Sequence, residues 1–427
     1  MLPCCATWQH LLLYALICMK RIFALMALTG TLATGCDCLM APEDVDEIPR
    51  EEDLIDDDET VNNEDADMVD LAWKNGSYEF GRTCDCDYTP PEIDMWVYPE
   101  VGQRVEAIYA WYDELVEEFP KYVVKEDCDS VMASIGVVKP AEIGHLPMYM
   151  YKFLPPMVPN GTDTEESSIN RIKAFILTGT HPEYIAIWDC LNSMRLLCRN
   201  WKDDKNLEEL RWNADIYIIP CFNLYGVDNA SRTNENRVDL NRNAPTSDWY
   251  MIDDEQIYSG SEPGTEYSTK VLMHYLQTIQ PQVFIDHHNA NVGAGDDEGE
   301  GKNMIYVRCM EQIGLDVAGV VISQMTRKWK MRYTDIFPSI DDDPTTLYGY
   351  ACIDEIPGTI AKYAHEQGAL ASIYESNSGI LYKNGIYSIE NRVSNNPLVT
   401  TCATEGFINY LIRSLKVYSE EIGVVKQ

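Results

Sequence analysis

Positive charge is scarce in this chain. Its 427 residues carry 33 Lys and Arg against 69 Asp and Glu, a formal net charge of −36. Nucleic-acid binding needs clustered basic residues, so that class of partner is excluded. Part of the imbalance is local: Glu43–Asp70 holds 15 acidic residues and one basic residue, Arg50. The rest of the chain is still acidic. Also missing is an uninterrupted apolar run of the roughly 20 residues that a membrane span needs. Lys20 and Arg21 split the only candidate, Leu11–Thr34, into two shorter runs. No internal repeat is evident. Cys84-Asp85-Cys86 has no His/Cys cluster nearby to complete a zinc site, so no second metal is expected there.

What is present suits one large core with an N-terminal extension. Apolar content of 45% is ordinary for a globular chain. Asp37–Thr89 is acidic and lacks apolar periodicity, so it cannot bury enough surface to offset its ordering entropy. It reads as a tether. The 14 cysteines could form disulfides in an exported chain, but spacing alone does not give their pairing.

Beyond the tether, helical and strand patterns alternate. Val101–Phe119 places Val105, Ile108, Tyr109, Tyr112, Leu115 and Val116 on one helical face, and Pro120 ends it. Strands are predicted at Met148–Leu154, Ile172–Thr178, Ile216–Ile219, Val283–Asp286 and Ala369–Tyr374. Helices are predicted at Tyr184–Cys198, Glu262–Gln280, Ile313–Met325 and Thr404–Val417, and a turn at Asn223–Gly226. This order implies an α/β fold with a mostly parallel or mixed twisted sheet covered by helices on both faces. Ligands in such folds gather beyond the carboxyl ends of the strands.

Four segments near predicted strand ends carry chemistry. Arg232–Asn243 reads R-T-N-E-N-R-V-D-L-N-R-N, rich in groups that can grip a carboxylate. An Asn-rich turn is the plainer reading of the same residues. Gly179-Thr180-His181-Pro182-Glu183 and Asp286-His287-His288 offer imidazoles and a carboxylate. Two imidazoles and one carboxylate leave an open zinc position, as catalytic sites require. Thr180–Glu183 also fits a capping box, S/T-x-x-E, which would start the helix near Pro182. His287 and His288 compete, because neighbours on a strand face opposite ways. Ile373-Tyr374-Glu375 ends the last predicted strand with an acid.

Taken in this order, the segments resemble the zinc metallocarboxypeptidases of the carboxypeptidase A type, over roughly Tyr98 to Tyr410. The Asp239-Leu240-Asn241-Arg242-Asn243 match is specific. The first ligand pair departs from the family, being spaced His-x-Glu instead of His-x-x-Glu. The resemblance implies one Zn2+ held by His181, Glu183 and His288, with Asp286 two residues earlier selecting His288 over His287. It implies Glu375 as general base, Arg232 as oxyanion stabiliser, and Asn241 and Arg242 as binders of the substrate's terminal carboxylate. The expected activity is hydrolysis of the C-terminal amide bond of a peptide, cell-wall peptides being one candidate substrate. Two other expectations compete: a metal-free protein that binds carboxylates or peptides on the same fold, and a related zinc amidohydrolase acting on acylated amino acids. Counting back from Glu375 without a gap puts the family's mobile-loop tyrosine position at Ile353, with Tyr348 and Tyr350 nearby. The pocket-floor position falls on Ile360, which would favour uncharged side chains.

The N-terminus adds a second resemblance. Met19-Lys20-Arg21, the apolar run Ile22–Thr34 and Gly35-Cys36 resemble a bacterial lipoprotein signal, with Ala33 where Leu is preferred. The resemblance implies a lipid-modified Cys36, a membrane-anchored extracytoplasmic protein, and an unused upstream start in Met1–Cys18. The expected division is residues 1–35 upstream start and signal, 36–95 tether, and 96–427 catalytic domain.

Overall fold

The computed structural model describes residues 88–93, 99–155, 171–254, 257–289, 305–309, 348–352, 356–376 and 397–417, with scattered positions in 311–328. The signal segment, Cys36, most of the tether and Ile353 lie outside the described residues. Eight strands form one mixed sheet: β1 (Val123–Asp127), β2 (Tyr149–Phe153), β3 (Ile172–Leu177), β4 (Ala214–Ile219), β5 (Val283–Asn289), β6 (Ile305–Cys309), β7 (Tyr348–Cys352) and β8 (Leu370–Ser376). Their spatial order is β1-β2-β4-β3-β5-β8-β6-β7. The centre, β4-β3-β5-β8, is parallel, while β1, β2 and the β8–β6 pair are antiparallel. Central strands such as Ala174–Leu177 and Val283–Ile285 are buried throughout, as strands covered on both faces must be.

The helices with described bounds are α1 (Arg104–Glu118), α2 (Cys128–Ser134), α3 (Tyr184–Arg199), α4 (Lys205–Asn213), α5 (Leu224–Asn229), α6 (Tyr267–Ile279), α7 (Ile360–Glu366) and α8 (Pro397–Val417). The predicted apolar face of α1 is the buried one, and Tyr112 lies against Tyr151 at 4.9 Å. Strand alternation separates the two layers. Phe175, Phe284 and His288 share one face, where Tyr275 of α6 meets Phe175 edge-on at 6.5 Å. His287, Tyr374 and Ser376 point the other way, towards α3 and α8.

Several boundaries differ from the sequence reading for identifiable reasons. Strand β5 runs on to Asn289, so both histidines lie within it and not after it. Asn223–Gly226 opens helix α5, with the Asn223 side chain capping the Gly226 amide at 2.9 Å. Helix α4 escaped notice because its sequence is polar. Asp204 starts it by accepting from the amides of Asn206 and Leu207. Tyr88, assigned to the tether by sequence, is buried, and it exchanges backbone hydrogen bonds with the Asn409 side chain on α8. Tyr348 and Tyr350 belong to β7 and not to a loop. Cys128, Cys190, Cys198 and Cys221 are buried as free thiols, and Cys309 and Cys402 are buried as well. Among the described residues no helix is long and apolar enough to cross a membrane.

Candidate metal centre and substrate site

The site lies at the carboxyl ends of β3, β5 and β8. Its first part is the loop after β3. Gly179 takes φ +67°, and a side chain there would strike the Pro220 carbonyl and Val227. Glycine therefore lets the loop cross tightly over the end of β4. The capping box is not formed. Thr180 Oγ1 donates to Asp286 at 2.8 Å, and α3 starts at Tyr184 with Glu183 as its N-cap residue. Released from capping, the Glu183 carboxylate turns towards the two imidazoles. The shortened His-x-Glu spacing is accommodated in this way.

His181 Nδ1 lies 3.4 Å from Glu183 Oε1, and His288 Nδ1 lies 2.8 Å from Glu183 Oε2. One ligand atom from each of the three residues falls within 4.8 Å of the others, the grouping a metal ion requires. Both rings present the same nitrogen, Nδ1, to this point. Their Nε2 atoms each meet a buried carboxylate: Asp239 at 2.9 Å from His181, and Asp286 at 2.8 Å from His288. Such outer carboxylates fix the tautomer and orientation of a ligating imidazole. This donor set fits zinc, with two nitrogens, one oxygen and no fourth protein ligand among the described residues.

Burial opposes charge on both imidazoles, but the surrounding carboxylates outweigh it. His181 is raised, chiefly through Asp239, and His288 is raised well above the ordinary range through Asp286 and Glu183. Burial alone would push Glu183 up, yet the two imidazoles hold it far below the usual carboxylate range. The centre is therefore an anionic cradle that calls for a cation.

In the sequence Asp286 reads only as the marker that selects His288, and Asp239 only as part of the loop motif; the hold of each on an imidazole was missed. Metal-ligating histidines usually engage a carboxylate through the other nitrogen, which was the available clue. Asp239 does more than hold His181. Its Oδ1 accepts from the Asn241 amide at 3.0 Å, and its Oδ2 accepts from Arg232 Nε at 3.0 Å. Arg232 is thereby tied to the metal centre, with about half of its side chain still exposed.

The turn-building reading of Arg232–Asn243 holds for part of the loop. Asn234 accepts from the amides of Asn236 and Val238, and Asn243 bonds the carbonyls of Ser259 and Glu262, so these asparagines build the loop. Asn241 is buried. It accepts the Ile360 amide at 3.0 Å, and its Nδ2 lies 3.5 Å from His288 Nε2. Ile360 is itself fully buried at the start of α7. Arg242 lies in a 3-10 turn, and its Nη1 donates to the Asn241 carbonyl at 2.6 Å. Gly358, at φ +71°, allows its loop to press against the Arg242 backbone.

Glu375 stands directly beside His288 in the β5–β8 register. In-register residues of parallel strands share a face, so both side chains belong to one site. Burial raises Glu375 above an ordinary glutamate, although His288 and Arg308 pull the other way. Arg308, unremarked in the sequence, lies diagonally from it on β6, opposite Ile373, with Nε 4.0 Å from Glu375 Oε1. The structure thus gathers His181, Glu183, His288, Glu375, Arg232, Asn241 and Arg242 around the ends of neighbouring strands. His287 is excluded.

Residues 146–295 match the family model described as zinc carboxypeptidase. Over that segment the chain is similar to the zinc carboxypeptidases. That segment holds the three candidate ligands and the Arg232–Arg242 loop but ends before Glu375. Among solved structures, a carboxypeptidase A from Helicoverpa armigera shares the fold at TM-score 0.53 and 16% identity, covering 85% of this chain and 81% of that one. A thrombin-activatable fibrinolysis inhibitor does so at TM-score 0.53 and 16% identity, covering 83% of this chain and 80% of that one. At such identity the likeness speaks for the fold. No curated protein matches. The match points to zinc as the metal, and the His–Glu–His group supplies donors that suit it.

Proposed function

We propose that this protein removes the C-terminal residue of peptides, with His181, Glu183 and His288 as zinc ligands. The observation that carries the reading is the register of β5 and β8, which sets Glu375 beside His288 at the edge of the His–Glu–His cluster. Zinc held there supplies Lewis-acid polarisation of the scissile carbonyl and acidifies the attacking water. Glu375 accepts that water's proton on its carboxylate and passes it to the leaving amine. Burial strengthens Glu375 as a base, which suits it to the task. Arg232, oriented by Asp239, offers its exposed edge to the negative charge that develops on the carbonyl oxygen. Arg242 takes the free α-carboxylate in a two-pronged bond. Asn241 adds its remaining amide hydrogen.

An exopeptidase must recognise that carboxylate, which gives the test. A blocked peptide with a free C-terminus should be cleaved, and the same peptide amidated should be a poor substrate. Arg242→Ala should lower kcat/KM on the free acid by at least about tenfold and matter far less for the amide. Equal cleavage of both peptides by the wild type would remove the carboxypeptidase reading.

The location belongs to the same proposal. Met19–Cys36 supports an extracytoplasmic bacterial lipoprotein with Cys36 as the lipidated residue, and cell-wall peptides are then substrates within reach. Cys36→Ser should release the protein from membranes. A wild-type protein that is soluble without detergent after export would contradict the anchor.

A further inference from the structure

The face of β5 and β8 turned away from the metal centre holds three polar side chains that the roles above leave unassigned. Asp189, His287 and Ser376 have no exposed surface. Ser376 Oγ donates to Asp189 Oδ2 at 2.7 Å and lies 3.1 Å from His287 Nε2. A hydroxyl whose proton goes to Asp189 keeps its lone pairs, so it accepts from His287 Nε2–H. Aromatic rings enclose the chain: His287 stacks on Phe407 at 4.2 Å and meets Tyr374 edge-on at 5.1 Å. Such a chain is costly. Burial strips these groups of water, and His287 Nδ1 finds no replacement partner among the described residues. Apolar side chains of similar shape would fill the space without that cost. What a bonded polar chain supplies instead is a single rigid geometry.

Each member of the chain is tied to a residue of the site. Ser376 follows Glu375 on β8, His287 precedes His288 on β5, and Asp189 lies in the second turn of α3, whose N-cap is Glu183. Alternation sends Ser376 and His287 to one face, and Glu375 and His288 to the other. Strand pairing also stops here. Ser376 is the last residue of β8, in an end pair with Asn289 on β5 and with Ile305 on β6. Glu375 is therefore one residue from the end of both ladders. Strand ends open at low free energy. A general base cannot tolerate that, since a displacement of about 1 Å costs on the order of 100-fold in rate.

Resting on the carboxypeptidase reading, we propose that Ser376 is a positioning residue for Glu375. Its hydroxyl clamps the end of β8 to α3 and β5 at once, and so holds the Glu375 carboxylate beside His288. Glu375 keeps the proton transfer, and Ser376 acts only through it from the opposite face of the sheet.

The test uses the zinc-loaded full chain. Ser376→Ala removes both bonds, whereas His287→Phe removes one and keeps a ring on Phe407. Ser376→Ala should lower kcat by about tenfold or more, with KM within about threefold of wild type and the zinc content unchanged. His287→Phe should lower kcat less. The double variant should be no slower than Ser376→Ala, because one clamp can be lost only once. Hydrogen exchange of the β8 peptide Leu370–Ser376, read by mass spectrometry, does not depend on turnover. In Ser376→Ala it should quicken by about fivefold more than exchange in α1, the scale of a lost hydrogen bond. An unchanged kcat in Ser376→Ala overturns the proposal. So does loss of zinc along with kcat, or equal quickening in β8 and α1, either of which makes Ser376 a residue of general stability. Where Ser376→Ala does not fold, His287→Phe carries the same comparisons. A wild type that cuts no peptide removes the carboxypeptidase reading, and the exchange comparison then decides for or against the clamp by itself.

Discussion

His287 and His288 are adjacent on β5, equally buried, and opposite in character. His288 faces Glu183 and Asp286, both at 2.8 Å, and is held well above the ordinary imidazole range despite its burial. His287 stacks on Phe407 at 4.2 Å and meets Tyr374 edge-on at 5.1 Å. Burial drives it well below that range, so it is a neutral core residue. Its Nε2 lies 3.1 Å from Ser376 Oγ, which donates to Asp189 at 2.7 Å. One face of the sheet therefore gathers charge around a candidate metal centre. The other buries a short polar chain among aromatic rings. Side-chain identity does not decide which histidine can act as a ligand; the neighbours supplied by strand alternation do.

The largest effect that would sharpen this contrast is expected at Glu375. Glu375→Gln keeps the size of the side chain but cannot accept a proton. Turnover should fall by at least about 100-fold while the bound zinc and the melting temperature stay as in wild type. Unchanged turnover would take Glu375 out of the mechanism. A smaller effect is expected one shell out, at Asp239. Asp239→Asn keeps the bond to the Asn241 amide but weakens the hold on His181, and zinc affinity should drop by about 10- to 100-fold. Competition against a chelator measures this. An unaltered affinity would make Asp239 a loop-building residue only.

The smallest effect belongs to the opposite face. Burial pushes Asp189 up to about 8 from an ordinary 3.8, with Ser376 and Thr404 only partly offsetting it. Between these values the folded chain keeps a proton that the unfolded chain releases. The contribution of Asp189 to stability therefore declines as pH rises from about 4 to about 8. Asp189→Asn removes this dependence. Its melting temperature relative to wild type should rise across that window, with zinc content unchanged. A pH-independent difference would mean that Asp189 is charged in the fold.

The parts of this contrast visible in the sequence are those that depend on local pattern. The period of α1, the apolar runs of β3, β5 and β8, and the order of His181, Glu183, Arg232, Asn241, Arg242, His288 and Glu375 could be read directly. What could not be read depends on partners distant in the chain. Asp239 meets His181 across 58 residues, and Asp286 meets Thr180 across 106. Arg308 reaches Glu375 only through the antiparallel register of β6 on β8, and no local signal marks that pairing. The same limit made Thr180–Glu183 resemble a capping box: the competing partner of Thr180, Asp286, lies on another strand. His287 and His288 were separable by alternation only once the faces of β5 were known.

The central claim is that one face of β5 builds a zinc site and the other does not. Metal analysis of the full-length chain, beside His288→Ala and His287→Ala, tests it most directly. The account predicts one zinc per chain in wild type, none in His288→Ala, and full zinc in a less stable His287→Ala. A wild type that takes up no zinc, or zinc lost from His287→Ala and kept by His288→Ala, would contradict it.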